Sequence, residues 1–437
     1  MTKNYSKYGF HYFAWIFQQL LIIVLLIFSS LSSIFAVGIL DPNFGNGGRV
    51  NFRFGETSDS VGSAVLQTDG KIVIVGQTGP SGQSPGFFNF AVARLNQNGS
   101  VDTGFGNSGF VSTDFNNDQD SASSVIIQPD GKILVGGIAN NSFALARYNS
   151  DGTLDNTFGS NGKVVTDFSE GIRESVNALL LQTDGKIIAV GNIFNPFPGI
   201  QQGIAFARYN VNGSLDSAFG VSGRFILSYG TIITYLNGAA IQPDGKILVA
   251  GSYVYNRSGC VPTKDNSCSE SRHFLLRYNR QMLPDRKFGR SFGIEYSREP
   301  FADISLLSNG QILTGGFPNV RLYSSIGRFE KIFERPIFPG QSEGLQNGAV
   351  SLTEVMSDSI AGCHIANNGG YSDFGVVLFN RQGQLIGLDQ RDFFSANDNC
   401  SKILAQPDGK FLVVGSAQIE RQGSYSFAVM RYLNIVP

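Results

Sequence analysis

The phrase "QPDGKILVGG", opening at Gln128, returns along the chain with small changes. Gln67 opens "QTDGKIVIVG", Gln182 "QTDGKIIAVG", Gln242 "QPDGKILVAG" and Gln406 "QPDGKFLVVG", while Leu307 opens the worn copy "LSNGQILTGG". The intervals are 61 residues (67 to 128), 54 (128 to 182), 60 (182 to 242) and 65 (242 to 307). The last interval, 99 residues (307 to 406), has room for one further decayed unit around "VMSDSIAGCHI" (Val355 to Ile365). Seven units result, the sixth degenerate. A chain that repeats one phrase at a nearly fixed period folds as copies of a single supersecondary unit packed side by side.

Each unit reads as β-structure throughout. "SSVIIQPDGKILVGG" (Ser123 to Gly137) is two β-branched runs hinged on Asp130-Gly131, a hairpin signal. A third run, "FALARYN" (Phe143 to Asn149), turns at "SDG" into "TLDNTFGSNGKVVTDF" (Thr153 to Phe168). Four short strands with tight turns, taken seven times, predict an all-β, seven-bladed β-propeller of four-stranded antiparallel blades. The ends sharpen this. "LDPNFGNGGRVNF" (Leu40 to Phe52) is a fourth strand without the first three, and "FAVMRYLN" (Phe427 to Asn434) is a third strand without a fourth. A ring closed by the N-terminal strand completing the last blade satisfies both ends and leaves no open sheet edge.

Before the repeats, Lys3 and Lys7 precede the apolar core "LLIIVLLIF" (Leu20 to Phe28), and "SSLSSIFAVG" follows it. Basic flank, apolar core and small-residue exit are the parts of a secretory signal peptide over residues 1–38, cleaved after Ala36 or Gly38. The competing reading is an uncleaved anchor, because the apolar run extends back to Phe13. Residues 39–437 then form a single propeller domain outside the cytoplasm, with no membrane span after signal removal. The chain is 42% hydrophobic and 15% charged with a net charge of −1, which excludes a strong electrostatic pull toward nucleic acid. Cys260, Cys268, Cys363 and Cys400 match no zinc spacing and read as disulfides. Cys260 and Cys268 share one loop. Cys363 ends a second strand and Cys400 begins the next unit's first strand, so the preferred pairs are Cys260–Cys268 and Cys363–Cys400.

"QPDGKILVGG", "FALARYNSDGTLDNTFG" and "GKVVTDF" together resemble the delta-60 repeat, a propeller-type repeat of exported and surface bacterial proteins. The resemblance covers nearly all of residues 40–437 and implies a fold, a bacterial source and a location: secreted, periplasmic or cell-surface. It implies no particular reaction.

Residues present in every unit are read as structural. Arg94, Arg147, Arg208 and Arg277 stand eight positions before Asp102, Asp155, Asp216 and Asp285, a spacing that pairs them across neighbouring strands. Arg431 has no local acid and is assigned Asp41 from the other end. Arg321 has Glu330 nine positions on, and Leu378 replaces the arginine in the sixth unit. "NSDGTLD" (Asn149 to Asp155) is a plain turn, because Asn98 and Asn212 replace its central Asp elsewhere and no bidentate glutamate follows. No metal site and no cofactor is expected.

Individuality concentrates between the second and third strands. "QTGPSGQSPGFF" (Gln77 to Phe88), "NIFNPFPGIQQG" (Asn192 to Gly203), "SYVYNRSGCVPTKDNSCSESRH" (Ser252 to His273), "CHIANNGGYSD" (Cys363 to Asp373) and "SAQIERQGSY" (Ser416 to Tyr425) all differ. Alternate connections of an up-and-down blade emerge on opposite faces, so these loops share one face while the trimmed "PDG" and "NGS" hairpins share the other. Loops on a rigid scaffold are where binding resides. The expected binding residues are Phe194, Phe197, Tyr253, Tyr255, Arg257 and Tyr371, the expected partner a protein or glycan, and the expected state a monomer. No catalytic residue is assigned, since HExxH, GxSxG and phosphate-loop patterns are missing from the sequence. The alternative is a carbohydrate-active hydrolase or lyase drawing carboxylates to the central channel from Glu56, Asp118, Glu174, Glu299 and Asp303.

Overall fold

The computed structural model describes residues 39–433 apart from 56, 81–86, 117–118, 169–171, 195–202, 229–232, 257–268, 290–302, 317–318, 335–348, 357, 369–370 and 420–422. The described secondary structure is β throughout, in seven antiparallel sheets. Blade 1 runs Thr57–Leu66, Ile72–Pro80, Asn89–Leu95 and Phe110–Thr113 in that spatial order, from inner to outer strand. Blades 2, 3, 5 and 6 repeat this order with inner strands Ser121–Ile127, Arg173–Leu181, Asp303–Leu306 and Ala349–Val355. Blade 4, from Ile233–Ile241, has three strands among the described residues, and residues 290–302, which follow its third strand and the turn after it, lie outside them. The seven inner strands touch one another in sequence, and that of blade 7, Asp398–Ala405, touches Thr57–Leu66, so the ring is closed.

Closure joins the two ends of the chain within blade 7. Arg49–Phe52 pairs with Tyr425–Tyr432 as the outer strand, with Arg49 opposite Met430 and Phe52 opposite Phe427. Phe44 is completely buried beside Phe427 and Val429.

The middle strands are apolar on both faces because each blade is packed between two others. Strand period decides which neighbour a residue meets. Val73, Val75 and Val92 of blade 1 pack on Ile133, Val135 and Ala146 of blade 2, whereas Ile72, Ile74 and Ala93 pack on Leu412, Val414 and Val429 of blade 7. A bulge recurs in the inner strands, at Val61/Ser63, Ala122/Ser124, Val176/Ala178, Leu236/Gly238, Ala349/Ser351 and Cys400/Lys402. Such an extra residue bends the strand and increases its twist, here where it lines the axis. The "PDG" hairpins close with Gly131 at φ 82°, a conformation that favours glycine, and with Gln128 accepting the Gly131 N–H at 2.9 Å.

Candidate binding face

The two faces of the ring are built differently, and the repeated residues define the first. Arg147 Nε lies 2.8 Å from Asp155 Oδ2, Lys132 Nζ is 3.1 Å from the same oxygen, and the guanidinium stacks 4.4 Å over Phe158. The same grouping occurs at Arg94–Asp102, Arg208–Asp216 and Arg277–Asp285, and Arg431 Nη2 lies 2.9 Å from Asp41 Oδ2 across the closure. Glu330 accepts instead from Gln311, and Leu378 is buried in the core.

Each of these arginines also reaches the next blade. Arg208 Nη1 donates to the Arg280 carbonyl and Arg277 Nη1 to that of Ser325, both at 2.8 Å; Arg94, Arg147 and Arg431 reach Ser150, Val211 and Gln97. The adjoining tyrosine points the other way, as strand alternation requires. Tyr148 donates to Thr113 Oγ1 at 2.7 Å, Tyr209 to Thr166 Oγ1 at 2.8 Å and Tyr432 to Asp389 Oδ2 at 2.9 Å, each in the preceding blade. Sequence reasoning missed these tyrosines, although the dipeptide recurs at Arg147-Tyr148, Arg208-Tyr209, Arg277-Tyr278 and Arg431-Tyr432.

For Asp102, burial pushes the carboxyl up, but hydrogen bonds from Lys71 and Arg94 outweigh it and the net shift is downward. Asp41, Asp155, Asp216 and Asp285 are also lowered. A group lowered in the folded state contributes stability above its unfolded value, here 3.8, and loses it as pH falls through the folded value. Urea midpoints measured from pH 5 down to pH 2.5 should therefore fall steeply; a flat profile over that window would contradict the geometry.

The opposite face carries the long loops. Their tips, including Phe197, Arg257, Cys260 and Cys268, lie outside the described residues, as do Glu56, Asp118 and Glu299. Phe194 ends the second strand of blade 3 with its ring 6.1 Å from Tyr235 of blade 4. Tyr253 is half-buried and stacked 6.3 Å from Phe274. Tyr255 lies in the strand Ile247–Asn256, and half-buried Tyr371 opens the third strand of blade 6. These aromatics therefore stand on three different blades along one rim.

The connections leading back to the inner strands on this face share one device. An acid at the start of the inner strand accepts the amide of a phenylalanine in the preceding turn: Asp59 from Phe54 at 2.9 Å, Asp120 from Phe115 at 2.7 Å, Asp398 from Phe393 at 2.8 Å. Glu174 does the same, with both oxygens 3.0 Å from the Phe168 nitrogen. All four acids stand eight positions before a repeat glutamine and are completely buried. Glu174 is thus part of the repeat, contrary to its reading as an individual acid. Asp303 is also occupied with backbone, accepting from Ile304 at 2.8 Å and from Leu352 of blade 6 at 3.1 Å. Where the inner strands of blades 3, 4 and 5 run into their short turns, a cavity of about 290 Å³ is lined by Leu181, Ile241, Leu306, Leu307 and neighbouring turn residues, with no acid among them. The described carboxylates therefore do not favour glycoside hydrolysis at the axis.

Blade 6 departs most from the pattern. Cys363 of its second strand is bonded to Cys400 of blade 7, with Cα atoms 6.2 Å apart, which staples the two blades together. His364 stands where other second strands have a glycine such as Gly137 or Gly415, and its cross-strand partner is Gly375 where the others have Ala144 or Ala428. A Cβ on Gly375 would land on the imidazole, so the exchange is coupled: one side gained volume and the other gave it up. Burial pushes the His364 pKa down to about 4, so the ring is neutral and structural. Nearby, burial pushes the Asp398 carboxyl up to about 7, and the charges of Asp392 and Asp373 add to the effect.

Residues 67–105, 128–158, 182–219, 242–261 and 406–434 match the family described as "Domain of unknown function (DUF5122) beta-propeller". No curated protein matches the chain. Among solved structures it is similar to a protein described as the extracellular domain of a hybrid two-component system from B. thetaiotaomicron (13% identity, 89% of this chain and 40% of that one, TM-score 0.46). It is similar also to a protein of unknown function from Dyadobacter fermentans (10% identity, 90% and 100%, TM-score 0.46). A third is virginiamycin B lyase from Staphylococcus aureus (12% identity, 73% and 86%, TM-score 0.41). The chain spans less than half the length of the first of these. With five matched repeats and seven sheets in a closed ring, the chain is a seven-bladed β-propeller.

Proposed function

We propose that the protein is an exported, non-catalytic binding module of the delta-60 type that engages a protein or glycan through its long-loop face. The observation that carries this reading is the asymmetry between the faces. On one, the turns are short and five blades hold them with the same Arg–Asp pair; on the other, the second-to-third connections differ from blade to blade, and four blades carry a repeated Phe–acid clasp. The rim aromatics Phe194, Tyr253 and Tyr371 offer apolar area with little conformational freedom to lose, which favours recognition. Removal of residues 1–38 as a signal peptide would deliver the ring outside the cytoplasm, where the Cys363–Cys400 bond is stable.

The test is a screen of residues 39–437 against glycan arrays and surface proteins, beside a variant with Ser252–His273 shortened. Binding that shortening weakens by about tenfold or more, the scale of one lost anchor, is the expected result. Cleavage of a polysaccharide by the intact ring, without retained binding, would replace this reading with the hydrolase or lyase alternative.

A further inference from the structure

We propose that the joint between blades 6 and 7 is a redox latch: with Cys363 and Cys400 as thiols the ring opens there, and their oxidation locks it shut. Arginines tie blades 1, 2, 3, 4 and 7 forward to the turn between the third and fourth strands of the next blade. Blade 5 makes the same grip with Lys331, whose Nζ donates to the Arg381 carbonyl at 3.0 Å. Blade 6 has Leu378 at the arginine position, and blade 7 has no such turn to hold. Its third and fourth strands, Tyr425–Tyr432 and Arg49–Phe52, lie at opposite ends of the chain. Of the forward arginine link and the backward tyrosine link, this joint keeps only the second, from Tyr432 to Asp389.

The cysteines stand where the repeat already brings two residues together. Cys363 occupies the second-strand position of Val75, Gly136, Val190 and Val414. Cys400 occupies the inner-strand position, just before the bulge, of Val61, Ala122, Val176 and Leu236. These two positions share a core at other joints: Val75 with Ala122, Val190 with Leu236, and Val414 with Val61. Between blades 2 and 3, a Cβ on Gly136 would lie 3.0 Å from Val176. At the joint of blades 6 and 7 the Cα atoms are 6.2 Å apart, within the ordinary span of a disulfide, so the bond needs no backbone rearrangement. A covalent tie thus stands at the one joint where the forward grip has nothing to hold.

The bond forms by exchange. The thiolate of one cysteine attacks a disulfide-bearing oxidant to give a mixed disulfide, and the thiolate of the other displaces it. Two electrons and two protons pass to the oxidant, which departs as a dithiol. That exchange needs the sulfurs within reach, yet in the shut ring Cys363 is 0% and Cys400 3% exposed. The exchange therefore takes place while the joint is open, and closure then covers the bond. The latch closes readily and reopens slowly. It acts on the scaffold and does not depend on the ligand proposed above.

The experiment compares the purified protein refolded with and without dithiothreitol, by hydrogen–deuterium exchange and by iodoacetamide labelling once the reductant is removed, with each cysteine resolved by peptide mass. The reduced ring should exchange about tenfold faster or more across Ser359–Asn368 and Asp398–Ala405, with Ser121–Ile127 and Arg173–Leu181 unchanged. Reduced Cys363 and Cys400 should take the label in native buffer, and the oxidised protein should resist dithiothreitol until urea is added. Equal exchange at the joint in both forms, or reduced thiols that stay inert, would mean that the ring remains shut without the bond and would overturn the proposal. A rise of equal size in every blade would do the same, because it reports general loss of stability and not an opening at one joint. Should the reduced chain fail to refold, Cys363→Val with Cys400→Val copies the Val414–Val61 contact of the joint between blades 7 and 1. That variant should show the same localised exchange, and one with the oxidised parent's protection would overturn the latch.

Discussion

Deleting residues 39–52 should leave a chain that no longer unfolds cooperatively. The segment supplies the outer strand of blade 7 and the completely buried side chains of Phe44 and Asp41. Losing a buried phenylalanine alone costs about 3–5 kcal/mol. Arg431, 7% exposed, would also lose its carboxylate, and a buried charge stripped of its partner costs about 3–5 kcal/mol more. Together these approach the whole stability of an ordinary domain, about 5–15 kcal/mol. Gel filtration and urea unfolding would show an expanded chain with a shallow transition. Restoring the same residues after Tyr432, as a circular permutant, should recover the sharp transition, because blade 7 needs the strand and not its position in the sequence. A truncated chain with the parent's midpoint would show that the ring does not depend on this closure.

The second large effect is expected at Arg147. Its side chain is 4% exposed, and it holds Asp155, stacks on Phe158 and bonds the Val211 carbonyl of the next blade. Arg147→Ala should cost about 3–5 kcal/mol, since Asp155 remains buried with Lys132 as its remaining cation beside the Thr157 donors. Replacing both partners by apolar residues, Arg147→Leu with Asp155→Leu, should cost less than the single change, because no charge is then stranded. Blade 6 already embodies that combination, with Leu378 packed in its core at the arginine position. Urea midpoints of the single and double variants decide the matter. A double variant weaker than Arg147→Ala would mean that the link to the neighbouring turn, and not charge burial, dominates.

These expectations also show what could be read along the chain and what could not. Strands, hairpins and the shared seventh blade are legible because their signals are simple: a β-branched run, an Asp-Gly turn, a lone fourth strand at one end and a third strand without a fourth at the other. The Arg–Asp spacing was legible for the same reason, since eight residues span one turn. Contacts between blades join residues some fifty positions apart, and no local pattern announces them. The tyrosine of Arg147-Tyr148 reads as another apolar strand residue until Thr113 is seen beneath it. Glu174 reads as an individual acid along the chain, being a glutamate where Asp59, Asp120 and Asp398 are aspartates. The exchange of His364 and Gly375 is invisible one residue at a time, since each looks like decay of the repeat. Asp373 and Asp398 are twenty-five positions apart and meet only because two blades pack together.

The direction of the arginine links has an evolutionary consequence. Through these arginines, five of the seven blades grip their successor by a main-chain carbonyl, an atom every residue possesses, so the joint places almost no demand on which residue the successor puts there. Ser150, Val211, Arg280, Ser325 and Gln97 all serve. A duplicated blade would dock on any copy of itself without prior matching, and its neighbours could then diverge without breaking the hold. Such a ring can gain copies by simple duplication and specialise them one at a time, and blade 6 shows how far one copy can drift while the circle stays shut.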